Sequence, residues 1–134
     1  QGRISFKVYD EQKQHIGYVG WHPEKHDWLF PKNFKRPLYN AYNISGPKIV
    51  VTSDLFDCLR LITLGLQATA SLMARSMNEQ QIEILKNYQQ ITLLHPEPYN
   101  IALRLVSQTY VKAPLINGSL HDYSDEEIVS NFLG

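Results

Sequence analysis

The sequence is poor in the features that define several classes of protein. It contains a single cysteine, Cys58, which excludes an intrachain disulfide and any zinc site built from several cysteines. No apolar run approaches the length of a membrane span, and the first residues do not resemble a signal peptide. We therefore expect a cytoplasmic domain without a membrane partner.

The chain also lacks net charge, because 13 basic residues balance 13 acidic ones. No long-range field draws it to nucleic acid, so such a partner would need a local patch. Residues 22–36 offer one, since basic side chains alternate there with aromatic ones. The sequence favours a structural interpretation over nucleic-acid contact: a loop and short strand whose aromatic side chains pack on the core while the charged ones stay in water. The candidates for nucleic-acid contact are Lys25, Trp28, Lys32, Lys35 and Arg36.

The most informative stretch is residues 48–66, which predicts a buried strand followed directly by an amphipathic helix. The β-branched run 49–51 is typical of a parallel strand covered on both faces. Residues 52–54 then offer three candidate N-cap side chains, and apolar residues repeat at helical spacing until Gly65 ends the helix. In open α/β sheets, ligands usually bind where a strand end meets a helix N-terminus.

Strands and helices alternate through the rest of the chain. We expect an α/β fold with a four-stranded, mostly parallel sheet flanked by helices, preceded by a small antiparallel hairpin. Residues 1–45 would form the hairpin and the aromatic, basic connecting segment, and residues 46–134 the α/β domain. The predicted strands are 3–9, 15–21, 67–72, 90–94 and 110–113, and the predicted helices are 78–88, 98–106 and one after Ser124 that includes Ile128, Phe132 and Leu133.

Three segments resemble, in the same order, parts of one family. Residues 49–59 followed by 71–81 resemble the Toprim domain of bacterial-type DNA primases and of mobile-element proteins with a primase-like (CHC2) zinc finger. Residues 2–21 and 29–35 resemble the segment that precedes Toprim in those proteins. The resemblance implies a Rossmann-like Toprim fold in a DNA replication or mobile-element protein, with single-stranded DNA or a replication protein as partner. The start at Gln1 rather than methionine also leads us to expect one domain of a larger protein.

The first motif of that family is only partly present. Toprim domains typically carry Glu-Gly-x-Phe-Asp after the first strand, and Phe56 and Asp57 match its last two residues. This alignment places Ser53 where the family has its glutamate and Asp54 where it has glycine. The resemblance therefore implies that the general acid or base is missing.

The second and third motifs are altered too. His95 and Glu97 occupy the places of the metal-binding Asp-x-Asp after the third strand of the sheet. In the stretch 118–123, which begins with Gly118, Leu120 replaces an aspartate while Asp122 remains. We expect Ser53, His95, Glu97 and Leu120 to cluster at the strand ends without holding Mg²⁺, because Mg²⁺ requires several oxygen ligands.

Two functions from different classes follow. The first is a catalytically degenerate Toprim-like module that acts in nucleic-acid contact or partner docking. Under this hypothesis we expect neither enzymatic activity nor a cofactor. The alternative is an active metal-dependent primase, nucleotidyl transferase or nuclease that uses Mg²⁺ or Mn²⁺ at a rearranged site. The candidate ligands of that site are Asp54, His95 and Glu97.

Overall fold

The computed structural model describes residues 2–116 and 119–132, so Gly118 and Leu133 lie outside the described residues. The N-terminal part forms an antiparallel sheet in the order β1-β2-β3. The predicted hairpin is confirmed, and the aromatic segment adds a third strand that places Trp28 opposite Trp21. These strands are β1 (Ile4–Tyr9), β2 (His15–His22) and β3 (Asp27–Leu29).

The second sheet has four strands, all parallel, in the order β5-β4-β6-β7. The predicted α/β fold is confirmed, with the strand of residues 49–51 at an inner position of the sheet. Since parallel strands end at the same edge, the segments after them come together there. The strands are β4 (Lys48–Thr52), β5 (Thr69–Ser71), β6 (Gln90–Leu94) and β7 (Tyr110–Lys112).

Four helices connect or follow these strands, and three of them begin at predicted caps. Asp54 caps the first helix, Asn78 and Gln81 form a capping box at the second, and Ser124 and Glu127 cap the fourth reciprocally. The helices are α1 (Leu55–Thr63), α2 (Glu79–Leu85), α3 (Tyr99–Leu103) and α4 (Asp125–Phe132). None of the described helices is both long and apolar enough to cross a bilayer.

Helices cover both faces of the parallel sheet, which explains the apolar run in β4. Ile49 and Val51 point into one cluster with side chains of α2 and α3, whereas Val50 packs on the other face with α1 and α4. The first cluster includes Ile82, Leu85, Ile91, Leu93, Ile101 and Leu105, and the second includes Leu61, Leu94, Leu120, Ile128 and Phe132.

Two helices are shorter than predicted. The helix predicted over 78–88 ends at Leu85, although Tyr88 still packs on the core and donates a hydrogen bond from its hydroxyl to Ile44 O at 2.8 Å. The helix predicted over 98–106 ends at Leu103, and Val106 is exposed. Past the two helices, Tyr88 and Leu105 still pack on the core, whereas Val106 does not.

A third cluster of apolar residues joins the two sheets. Val8 and Val19 of the antiparallel sheet pack there with Leu55 of α1 and Met73 after β5. Phe56 adds an edge contact to Trp21, with ring centroids 5.1 Å apart. The division of the chain at residues 45 and 46 stays a prediction, and the two parts share this packed interface.

Candidate active-site pocket

A pocket of about 360 Å³ lies at the carboxyl edge of the parallel sheet, against the antiparallel sheet. The segments after β4, β5 and β6 contribute to its wall, as does the segment after β7. Its lining is mostly apolar, with acidic groups at the start of α1. The lining residues include Ser53, Asp54, Asp57, Trp28, Phe30, Met73, Arg75, Leu94, Pro96, Ile116 and Leu120.

The start of α1 places two carboxylates in this pocket. Thr52 donates its hydroxyl to Asp54 O at 2.7 Å and fixes the turn. Asp54 then accepts from Phe56 N–H at 3.4 Å as the N-cap, while Asp57 lies in the first turn. Acidic side chains are favoured at this position because the helix dipole is positive there. Asp54 therefore has a structural role beside any role in binding.

Asp57 is the most perturbed carboxylate of the pocket. Its side chain is 13% exposed, and its Oδ1 atom is buried without a hydrogen-bond partner among the described residues. Burial, and then the negative charge of Asp54, raise the pKa of Asp57 to about 6, while His121 and Arg60 oppose the shift. Burying a carboxylate oxygen without a hydrogen-bond partner lowers the stability of the fold. A strongly perturbed carboxylate in a pocket is a candidate functional residue.

His121 completes a group that sequence reasoning did not find. Its Nε2 atom lies 3.9 Å from Asp54 Oδ2 and 4.0 Å from Asp57 Oδ1. The approach depends on Arg60, which donates to Leu120 O at 2.8 Å and to Tyr123 O at 2.7 Å. Arg60 thus fixes the turn that carries His121 against α1. The only sequence signal was the position of His121 inside the altered third motif.

His95 and Glu97 follow β6 as expected but do not line the pocket. His95 is 4% exposed, and its Nδ1 atom accepts a hydrogen bond from Glu97 N–H at 2.8 Å. The proton is therefore on Nε2, which donates to Arg75 O at 2.8 Å. Glu97 pairs with Arg75 at 3.1 Å on the surface. Both nitrogens of His95 are used to fix the backbone, so this imidazole has no free ligand atom.

The other altered positions do reach the pocket. Ser53 and Leu120 both line it, so the structure brings these two together and leaves His95 and Glu97 outside the wall. Leu120 is buried and makes that side apolar. Asp122, the carboxylate that remains in the third motif, accepts from Ser119 N–H at 3.2 Å and caps its own turn.

The candidate nucleic-acid residues divide into two groups. Lys25, Lys32 and Lys35 are exposed. Trp28 instead packs against other aromatic rings, with its centroid 4.9 Å from that of Trp21. Arg36 donates to Leu72 O at 2.9 Å and Ser76 O at 3.2 Å, and burial lowers its pKa. Trp28 and Arg36 therefore hold the fold together.

No protein-family model and no curated protein matches the chain, but solved structures match its fold. The Aquifex aeolicus primase, solved as its zinc-binding and RNA polymerase domains, gives a TM-score of 0.72 at 17% identity over 98% of this chain and 37% of that one. A DnaG primase catalytic domain bound to single-stranded DNA gives 0.74 at 14% identity, over 98% and 52%. The primase fragment of the bacteriophage T7 primase–helicase gives 0.72 at 15% identity, over 97% and 62%.

The chain has the fold of a DnaG-type primase core. The resemblance seen in the sequence motifs is thereby confirmed at the level of the fold, with the four-stranded parallel sheet as its Toprim part. The match covers 37% of the Aquifex primase chain, 52% of the DnaG chain and 62% of the T7 fragment. The chain thus spans a domain-sized part of the length of these structures.

The motif resemblance implies a Mg²⁺ site at this edge of the sheet, where the carboxylates that line the pocket are Asp54 and Asp57. Mg²⁺ prefers an octahedral shell of oxygen ligands, several of them carboxylates or waters. The motif alignment puts Ser53 and Leu120 at two of the acidic positions, and in the structure both line the pocket, while His95 is bonded through both nitrogens to the backbone. The remaining carboxylates, Asp54 and Asp57, lie beside an imidazole.

Proposed function

We propose that this chain is a catalytically degenerate, primase-related module of a DNA replication or mobile-element protein, which would act in the cytoplasm in nucleic-acid contact or partner docking. The observation that carries the proposal is the environment of His95. At the position of the metal-binding aspartate pair stands a buried imidazole with both nitrogens bonded to backbone, and Glu97 turns to Arg75 on the surface. Such an arrangement supports the fold and leaves no free ligand atom on His95 for Mg²⁺.

The test is nucleotide incorporation on a single-stranded template, paired with a nuclease assay, in the presence of Mg²⁺ and then of Mn²⁺. An active DnaG catalytic core serves as positive control. We expect no incorporation and no cleavage by this chain. Either activity would reject the proposal if Asp57→Asn abolished it, because that loss would assign the activity to this pocket rather than to a contaminant.

The surface most suited to nucleic-acid contact is the group of exposed lysines Lys25, Lys32 and Lys35. One structure with the same fold was solved with single-stranded DNA, which motivates the same ligand for this chain. Since the chain is neutral overall, binding would be weak and would fall steeply with salt. Arg36 is left out of this surface because its guanidinium is bonded to carbonyl groups.

Fluorescence anisotropy with labelled single-stranded DNA at several salt concentrations tests this contact. Replacing Lys32 and Lys35 with Ala should weaken binding and flatten its salt dependence by about one to two counterions. Lys48→Ala, which removes an exposed lysine at the start of β4, is the matched control. Equal affinity in the double variant and the control would show that these lysines do not contact DNA.

The alternative function is an active metal-dependent enzyme with a rearranged site. The retention of Asp54 and Asp57 at the pocket favours it, since two neighbouring carboxylates are a common metal-binding pair. The set proposed from sequence, Asp54 with His95 and Glu97, is less favoured by the contacts of the last two residues. The incorporation assay described above separates this alternative from the degenerate module.

A further inference from the structure

We propose that Asp54, Asp57 and His121 form a binding site for a divalent transition-metal ion of the zinc class. One ligand atom from each of the three residues lies within 4.8 Å of the others. The group combines two carboxylates with an imidazole, and it draws on the start of α1 and on the 3-10 turn Leu120–Asp122. None of the altered positions in the second primase motif takes part.

The spacing of the three residues is close to that of a zinc site. Zinc bonds of about 2.0 Å in a tetrahedral shell place neighbouring ligand atoms about 3.3 Å apart. His121 Nε2 lies 3.9 Å from Asp54 Oδ2 and 4.0 Å from Asp57 Oδ1. The ligand atoms of Asp54 and Asp57 lie within 4.8 Å of each other, so binding would require the three side chains to close in by about 0.5 to 1.5 Å. His121 is 67% exposed and has the freedom to make such a movement.

A second observation concerns the unpaired carboxylate oxygen of Asp57. Its Oδ1 atom is buried and accepts no hydrogen bond from any described residue. Buried carboxylate oxygens are normally paired with a donor, a cation or a metal ion. The neighbouring guanidinium of Arg60 donates hydrogen bonds to Leu120 O, Tyr123 O and the carboxylate of Asp125 and gives none to Asp57. A metal ion between Asp57 and His121 would satisfy the unpaired oxygen.

The donor set selects the metal. A neutral imidazole is a good ligand for Zn²⁺ and other borderline ions, whereas Mg²⁺ prefers oxygen and retains its waters. Three protein ligands would leave a fourth position toward the pocket, as in zinc sites that bind a water or a small ligand. The ion would also tie the turn at His121 to α1, at one side of the pocket.

The test is isothermal titration calorimetry of the untagged, EDTA-treated chain with ZnCl₂, together with the visible absorption of added Co²⁺. We expect one equivalent of Zn²⁺ to bind, and Co²⁺ to give the absorption bands of a low-coordinate site. His121→Ala and Asp57→Asn should each weaken Zn²⁺ binding at least about tenfold and remove the Co²⁺ bands. His15→Ala, which removes an exposed histidine of β2, should leave both readouts unchanged.

The proposal would be overturned if Zn²⁺ failed to bind, or if His121→Ala bound it as tightly as the unaltered chain. In the second case the ion would be held by other surface groups. Equal affinity for Mg²⁺ and Zn²⁺ would also contradict the assignment, because the imidazole would then make no difference. These outcomes do not depend on whether the chain synthesises primers, so this proposal and the proposed function can fail separately.

Discussion

Replacing Asp57 by Asn tests the account of the pocket through the pH dependence of stability. The pKa of Asp57 rises from an ordinary 3.8 to about 6, so the folded chain holds this proton more tightly than the unfolded chain does. As the pH rises through that interval, the folded state must ionise a buried carboxylate, and it loses stability. The full shift would correspond to about 3 kcal/mol, and partial solvent access reduces this to about 1–2 kcal/mol.

Asp57→Asn removes this ionisation. Relative to the unaltered chain, its free energy of unfolding should therefore increase by about 1–2 kcal/mol between pH 4 and pH 7.5. The comparison between the two pH values cancels any constant effect of burying the amide. Urea denaturation measures this difference in the free energy of unfolding. The buffer contains EDTA, because a bound metal ion would offset the repulsion between the charges of Asp54 and Asp57. Glu126→Gln, at an exposed acidic residue of α4, should show no such change.

An identical stability difference between Asp57→Asn and the unaltered chain at both pH values would contradict a raised pKa of Asp57 in the folded state. That result would mean that Asp57 ionises in the folded state as easily as in the unfolded one. Solvent would then reach Oδ1, and this oxygen would no longer support a metal ion between Asp57 and His121.

Three further changes have expected outcomes on stability. Arg60→Met should cost about 2–3 kcal/mol in urea denaturation and speed amide exchange across 119–125, because it removes the hydrogen bonds to Leu120 O and Tyr123 O together with the pair to Asp125; unchanged exchange would contradict this role. Asn78→Ala should cost about 2 kcal/mol and Asn78→Ser about 1 kcal/mol, since both lose the bond from Asn78 Nδ2 to Arg36 O at 2.9 Å but the serine hydroxyl preserves the cap of α2; equal losses would show that the cap is unimportant. Arg36→Met should lower stability by about 1–2 kcal/mol without changing the salt dependence of DNA binding, and a flatter salt dependence would instead assign it a phosphate contact.

The fold was largely predictable because local and tertiary preferences agree along this chain. The β-branched run 49–51 is buried on both faces, and the caps at Asp54, Asn78 and Ser124 act as the sequence indicates. Helix ends were less predictable. Past Leu103 the backbone closes into tight turns, as when Arg104 N–H donates to Ile101 O at 3.1 Å, yet Leu105 remains in the core.

The candidate site was predictable only where the family motifs follow the strands. Ser53 and Leu120 reach the pocket because they lie at strand ends or in the turn that covers them. His121 could not be predicted, because its approach to Asp57 depends on the long-range contacts of Arg60. The bonds of His95 to the backbone depend likewise on a partner far along the chain, Arg75.

The proposed function requires that the pocket keep the place of a primase site and lack its Mg²⁺ chemistry. The most direct measurement is a titration of the ¹⁵N-labelled chain with Mg²⁺ to about 10 mM, followed through the amide signals of 53–57 and 120–121. We expect no saturable shift of these signals, and the same titration of an active DnaG core shows what a positive result looks like. Saturable shifts that disappear in Asp57→Asn would contradict the proposed function and establish a working Mg²⁺ site.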